Sequence, residues 1–579
     1  MNERSGVRHG HAEEGDQLDA AGDAIMSRME TLGSAIETTR SPDRATRRAW
    51  LSARAFPLGI AGLTLVAGAF LGHQLMAWPP HEDETLALFV GRDSLGGVID
   101  HVTRERGGAP LHFVVAWAVA HLGFGLGGLR VLSAVFALAS LPLAAALGLR
   151  LAGRRAAFVA VALLASSWML LFHGVYGRMY SLFLCLSLGS TLALLRALDR
   201  SGPGRWALWV AIALAMVAAH PYGLLVLGGQ AVYVALERRD RLRPAALAGT
   251  AVGVLGIPFW LTDLVLASRF EVGVGGDGAG SADRLDGASQ IVRYLLRTVG
   301  DMSAGWWPVT LGVIALALVG LAGEARSARM LTSSLVIVPA VAFLVTSMGG
   351  SASPESRHLV FVAPLVAIAT GAGIVRVTRR VPTLIPVVVA ALIVTQLAWA
   401  WHRTPSLFTW EPDLRQAARA AAEDWLAATS SPDDVLFGYD PIFLGAWERE
   451  PGFSSIVVPR ADPRLALRVL ERQVPVGRGI WVLDASRRNN VRPRLEIELL
   501  SPTPPGAFES RAFGPFLVIR SSAPTSTVER YLLAATRATL VGRRLGIGDA
   551  DVNLQTIDRA ARIARGYGPS RRLRSATSR

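Results

Sequence analysis

Trp78-Pro79-Pro80-His81-Glu82-Asp83-Glu84 is the stretch on which the reading of this chain turns. It sets a histidine and three consecutive acids against the end of an apolar run that begins near Ala55. A carboxylate carried to the centre of a bilayer costs about 2.5 to 3.5 kcal/mol on insertion scales. The cluster therefore belongs at a membrane surface, at the mouth of a polar cavity. The run from Ala55 to Trp78 is long enough to span. Arg40, Arg44, Arg47, Arg48 and Arg54 precede it, which keeps its start on the cytoplasmic side and puts the acids outside.

The composition agrees with a membrane protein. Of 579 residues, 51% are hydrophobic and only 18% charged, and the mean hydropathy is +0.37, too apolar for a soluble chain of this length. The net charge of +14 comes mainly from arginines at the ends of apolar runs, where they orient helices and meet membrane lipid, so nucleic acid is rejected as a partner. Lysine is absent, which excludes Schiff-base chemistry and a lysine base. Phosphate would have to be held by arginine or histidine, and the forked guanidinium suits it. The single cysteine, Cys185, lies inside an apolar run, so no intrachain disulfide can form and a thiolate metal site is disfavoured.

Further apolar runs begin near Leu129, Ala156, Met179, Trp206, Tyr222, Pro244, Gly305, Leu331, Leu359 and Thr383. With the first, they predict eleven spans. The basic connectors Arg150 to Arg155, Arg196 to Arg205, Glu237 to Arg243, Glu324 to Arg329 and Arg376 to Arg380 all fall inside under that count. Reading 109–126 as a full crossing would bring the count to twelve or thirteen and invert the pattern, so this stretch is taken as a juxtamembrane or re-entrant helix. The same topology places His73, His81, His101, His112, His173, His220, His358 and His402 in the outer half or outer loops.

Three regions follow. Residues 1–50 lack apolar periodicity and a signal-peptide layout, and read as a disordered cytoplasmic tail. Residues 51–402 form the membrane domain, whose first outer loop, about 79–128, carries the acids. Beyond Trp401, charge and proline rise, and strands alternate with helices in 403–579, which predicts a small extracytoplasmic α/β domain. Expected there are helices over 413–429, 462–473, 527–540 and 551–565, and strands over 434–439, 455–459, 479–484, 496–500 and 515–520. No Gly-rich phosphate loop follows any of these strands.

Several motifs stand in a telling order. Asp83-Glu84 follows the first span, and Gly108-Ala109-Pro110-Leu111-His112-Phe113 comes later in its loop. Leu129-Arg130-Val131-Leu132-Ser133-Ala134, Gly153-Arg154-Arg155-Ala156-Ala157 and Gly177-Arg178-Met179-Tyr180 succeed them. Ala219-His220-Pro221-Tyr222 and Ser356-Arg357-His358-Leu359 complete the series. Over residues 55 to 400 the chain resembles GT-C membrane glycosyltransferases of family 39, relatives of protein O-mannosyltransferases and aminoarabinose transferases. The resemblance implies transfer of a sugar from a polyprenyl-phosphate donor to an envelope glycan, lipid or protein acceptor on the outer face of the plasma membrane.

That chemistry needs a base for the acceptor hydroxyl and cations for the departing phosphate. By position in the resemblance Asp83 is the base, with Glu84 orienting it or binding acceptor. Arg178, Arg357 and His358 are the donor-phosphate ligands, and His81, His112, Tyr180, His220 and Tyr222 line the substrate cavity. No cofactor is certain; a Mg or Mn ion would fall to Glu82 and Asp83, although adjacent side chains on a helix diverge. Tyr176 departs from the family, many members of which carry a carboxylate there. Two other readings stay open. A flippase for lipid-linked sugars would need an ion-coupling relay, for which Asp263 is the main candidate inside the spans; the other is an inactive envelope scaffold.

Overall fold

A computed structural model describes residues 42–75, 77–78, 80–270, 285, 287–347, 355–404, 412–454, 456–458, 477–484, 508–524 and 528–544. Residues 1–41 of the expected tail, the helices over 462–473 and 551–565 and the strand over 496–500 lie outside these residues, whereas residues 42–50, expected to be disordered, are helical and run on into the first apolar run. Helices of nine or more residues are numbered in chain order. The membrane part comprises α1 (Pro42–Gln74), α2 (Glu82–Gly91), α3 (Pro110–His121), α4 (Gly125–Ser166), α5 (Tyr180–Asp199), α6 (Pro203–Ala219) and α7 (Gly223–Glu237). It continues through α8 (Leu242–Leu255), α9 (Ile257–Phe270), α10 (Ala288–Met302), α11 (Trp307–Gly323), α12 (Arg326–Ser347), α13 (Ala363–Val377) and α14 (Leu384–Arg403).

Each predicted apolar run falls on one of these helices or begins within four residues of one. Six helices among the described residues are long and apolar enough to cross a membrane, and eight if the bent pairs α8–α9 and α10–α11 are each one span. The chain is thus a polytopic α-helical membrane protein. Helix α4 holds two of the expected runs because it folds back at Gly153, whose φ of 82° and ψ of 174° suit only glycine. A Cβ on Gly148 would stand 3.1 Å from the Ala157 Cα, whereas nine residues of straight helix rise about 13 Å. Helix α3 has twelve residues, about 18 Å of helix against about 30 Å of hydrocarbon. Packing joins α11 to α13, α13 to α4, α7 to α12, and α5 to both α4 and α6.

After α14 the chain builds an α/β layer from α15 (Pro412–Thr429), β1 (Val435–Phe437), α16 (Pro441–Arg449), β2 (Ile456–Val458), β3 (Gly479–Asp484), β4 (Phe508–Phe513), β5 (Phe516–Ser521) and α17 (Val528–Arg544). The sheet order is β2-β1-β3-β5-β4. Strand β1 runs parallel to β2 and β3, whereas β5 is antiparallel to β3 and β4. The β4–β5 hairpin turns on Gly514 at φ 54°, in the left-handed region that glycine enters without steric cost. Helix α16 and strand β4 were not foreseen. Asp440 caps α16 by accepting from the Ile442 N–H at 2.9 Å, and Pro441 occupies the first turn. Ile442, Phe443 and Ala446 then fill the core between α15 and the sheet.

Candidate active site

The acidic stretch opens α2, and its three carboxylates go to three places. His81 is the N-cap: its Nδ1 accepts from the Asp83 N–H at 3.1 Å, and its own N–H donates to Glu84 Oε2 at 3.1 Å. This is a capping box with histidine in the cap position, and the acids of the first turn favour the positive end of the helix dipole. Successive residues on a helix point about 100° apart, so the acids diverge.

Glu84 turns inward and is fully buried. Arg130, on α4, donates to it through Nε at 2.9 Å and Nη2 at 2.7 Å, and the Gly177 N–H adds a bond of 2.8 Å. The remaining guanidinium nitrogen of Arg130 donates to the Leu75 and Trp78 carbonyls at 2.9 and 2.8 Å. Four donors occupy the Glu84 carboxylate, so its role is to fix α2 against α4 and the Gly177 loop.

Glu82 turns toward the α/β layer. Its Oε1 accepts from the Tyr439 N–H at 2.8 Å, the Thr85 hydroxyl donates to the Tyr439 carbonyl, and Arg106 donates to the Tyr439 phenol. Phe89 packs edge-on against the Tyr439 ring, and the Arg92 guanidinium lies over Trp447. Leu444 joins the core of α2 and α3, while Leu86 and Phe89 pack on the core under the sheet. The C-terminal domain is clamped to the helix that carries the acids.

Asp83 lies among cations, with its side chain about one third exposed at 34%. The Tyr176 hydroxyl donates to its Oδ2 at 3.3 Å and Arg357 Nη2 lies 3.5 Å from the same oxygen, while Arg178 donates to its backbone carbonyl at 2.8 Å. Burial works to raise this carboxyl, but the Arg178, His81 and Arg357 charges and the Tyr176 hydrogen bond outweigh it and hold it well below the usual carboxylate range. Burial, reinforced by Asp83, raises the Tyr176 phenol, which keeps it a donor. Arg357 also pairs with Glu355 at 2.8 Å, and Arg178 Nε is buried without a hydrogen-bond partner.

Histidine and aromatic rings line the space beneath. His173, Tyr180, His220, Tyr222 and His358 form a chain of ring contacts with centroids 4.8 to 5.6 Å apart. The Glu355 N–H donates to His358 Nδ1 at 3.2 Å, which orients that ring. His112 enters from α3 after a Gly107-Gly108-Ala109 turn in which Ala109 itself takes φ 47°. Burial, then the Arg178 charge, pushes the His112 imidazole down to about 3, so it is neutral, and its Nε2 has no hydrogen-bond partner.

Asp83, Arg178, Arg357 and His81 therefore come together, with Tyr180, His220, Tyr222 and His358 along the ring chain. Glu84 stands apart from the cavity. Arg130, Tyr176 and Tyr439 were not assigned roles from sequence, although Arg130 lies in a quoted motif and Tyr176 marked a departure. A metal fits poorly. Glu82 and Asp83 point to different partners, and among the described residues no group of three His, Cys, Asp or Glu side chains could hold an ion.

No protein-family model matches the chain, and no curated protein does. Among solved structures, ArnT from Cupriavidus metallidurans in the apo state matches with a TM-score of 0.56 at 16% identity, over 81% of this chain and 98% of that one. The same protein bound to undecaprenyl phosphate matches with a TM-score of 0.54 at 15% identity, over 81% and 98%. The chain has the ArnT-like GT-C fold that its sequence resemblance implied.

The clamp gives a direct test. Glu82→Ala removes the acceptor for the Tyr439 N–H, whereas Glu82→Gln retains an oxygen in its place. In hydrogen-exchange measurements, residues 82–92 and 439–449 are expected to lose protection in the alanine variant and keep it in the glutamine variant. Equal protection in Glu82→Ala and wild type would mean that the apolar contacts alone hold the domain.

Proposed function

We propose that the chain is a glycosyltransferase that moves a sugar from a polyprenyl-phosphate donor to a glycan, lipid or protein acceptor of the cell envelope. The observation that carries this reading is the partly exposed Asp83 carboxylate set beside Arg178 and Arg357. A fold shared with a protein solved bound to undecaprenyl phosphate supports the choice of donor. The distribution of arginines among the connectors supports a cytoplasmic N-terminus, a C-terminal domain outside and a site at the outer face of the plasma membrane.

In this mechanism Asp83 takes the proton of the acceptor hydroxyl while the acceptor oxygen bonds to the anomeric carbon. The bond from that carbon to the phosphate oxygen breaks, and the polyprenyl phosphate leaves with the electron pair. Arg178 and Arg357 stabilise the growing phosphate charge. Next to Arg178 and Arg357, Asp83 is a weak base. A donor phosphate seated on those cations offsets their charge and raises the basicity of the carboxylate, so proton removal follows donor binding. His112, neutral and with a free ring nitrogen, is suited to a sugar hydroxyl. Tyr176 supplies a hydrogen bond to Asp83 where many relatives carry an acid, and this substitution is the one feature that favours the inactive-scaffold reading.

Purified protein in liposomes, offered a panel of radiolabelled polyprenyl-phosphate sugars with envelope extract as acceptor, tests the proposal. Transfer by wild type is expected, with a loss of about a hundredfold or more in Asp83→Asn at unchanged elution and melting. Unchanged turnover in Asp83→Asn would remove Asp83 as the base; no transfer from any donor would favour the scaffold.

The pH dependence gives a second test. A carboxyl held below its usual range stays ionised until the pH falls through that lowered value, so activity that needs the carboxylate is lost only there. Arg357→Gln removes one of the charges that lower it. Well below saturating donor, where the rate reports the donor-free enzyme, the acid limb of transfer is expected to move to higher pH in Arg357→Gln, toward the ordinary carboxylate range of about 4. An unmoved limb would mean that another group titrates.

A further inference from the structure

Helix α10 lies apart from the spans in direction and in pattern. It meets α11 at an 82° bend, so with the apolar α11 crossing the membrane, α10 runs along the surface. Trp306 and Trp307 occupy the bend, and Trp307 is 73% exposed. Trp401, near the end of α14, is 79% exposed, and Trp306 packs on Trp399 and His402 of the same helix. Exposed tryptophans at helix ends mark the boundary between acyl chains and water, which sets α10 at headgroup depth.

The sequence of α10, ASQIVRYLLRTVGDM, divides around the helix into three sectors. Tyr294, Thr298, Asp301 and Met302 are buried against the protein. Val292 and Leu296 are exposed aliphatics one turn apart. Arg293 and Arg297, also exposed and one turn apart, stand beside them, and among the described residues neither forms an ion pair. Aliphatics on one sector and arginines on the next are the arrangement of a helix lying in the interface of an anionic membrane. A guanidinium fork matches a phosphate oxygen pair.

We propose that Arg293 and Arg297 form a binding site for the phosphate headgroups of anionic phospholipids, with Val292 and Leu296 seated among the acyl chains. The buried side of the same helix meets the segment that carries Arg357. The Tyr294 hydroxyl donates to the Glu355 carbonyl at 3.2 Å, and the Ser356 hydroxyl donates to Asp301 Oδ2 at 2.6 Å. Those two bonds flank Arg357 on its N-terminal side, so a lipid-anchored α10 also fixes the level of that arginine above the membrane. The lipid contact stands independently of the transfer reaction.

Photocrosslinking of the full chain in lipid nanodiscs tests this. The probes are phosphatidylglycerol and phosphatidylcholine, each with a diazirine beside the headgroup, and adducts are mapped by mass spectrometry. At about fivefold per surface arginine, phosphatidylglycerol is expected to label 288–302 ten- to thirtyfold more than phosphatidylcholine does. In the double variant Arg293→Gln/Arg297→Gln this excess is expected to vanish while labelling around Trp307 and Trp401 persists, which also reports that the variant is folded and inserted. Equal labelling of α10 by the two probes in wild type would overturn the proposal. So would labelling around Trp307 and Trp401 with none on α10, which would give this face to another occupant such as the acceptor.

Discussion

Glu84 and Arg130 hold each other inside the protein, and the geometry of the site depends on that bond. The carboxylate is fully buried and Arg130 is 3% exposed. Two charges out of water are tolerated only when every lone pair and proton is matched, and here the guanidinium reaches Glu84 and two carbonyls at the end of the first span. Losing one partner of such a pair costs about 3–5 kcal/mol, a large share of the 5–15 kcal/mol by which a typical domain is stable. The pair fixes the end of α1, the first turn of α2, α4 and the Gly177 loop at one point. Arg178 follows Gly177 directly, so the same interaction that seats Asp83 also sets the neighbouring cation.

Three adjacent acids thus serve three purposes because a helix turns them apart. Glu84 anchors the helix inside the membrane domain, Glu82 joins it to the C-terminal domain through the Tyr439 backbone, and Asp83 is left partly exposed beside Arg357. Asp83 is surrounded by positive charge, which holds it as an anion; in the proposed reaction it is a poor base until the donor phosphate arrives. An arrangement of this kind links proton removal to donor binding and limits wasteful reaction with water. Helix α10 in turn holds the Arg357 segment through Tyr294 and Asp301.

The membrane architecture was legible because its signals are local. Apolar length located the helices, and motif order pointed to the GT-C fold. The arginine pattern also kept 109–126 from being read as a crossing, and α3, at twelve residues, is too short to span. The doubling back of α4 was visible as two runs separated by Gly153-Arg154-Arg155, and the helical amphipathic pattern of 288–302 was present but left unread beside the stronger apolar signals. Asp440-Pro441 likewise announced α16 as a cap followed by a first-turn proline. What sequence could not supply were partners brought together over long separations: Arg130 for Glu84, Tyr176 and Arg357 for Asp83, Tyr439 for Glu82 and Thr85. Nothing local in a tyrosine at 439 distinguishes it from any other at the end of a strand.

The most direct measurement is the affinity of undecaprenyl phosphate for the full chain in nanodiscs, compared among wild type, Arg357→Gln and Asp83→Asn. If Asp83 is an anion held beside the cations that receive the carrier phosphate, Arg357→Gln weakens binding about tenfold or more, and Asp83→Asn binds as tightly as wild type or tighter. Wild-type affinity in Arg357→Gln, or a loss in Asp83→Asn as large as that in Arg357→Gln, would contradict this assignment of the site.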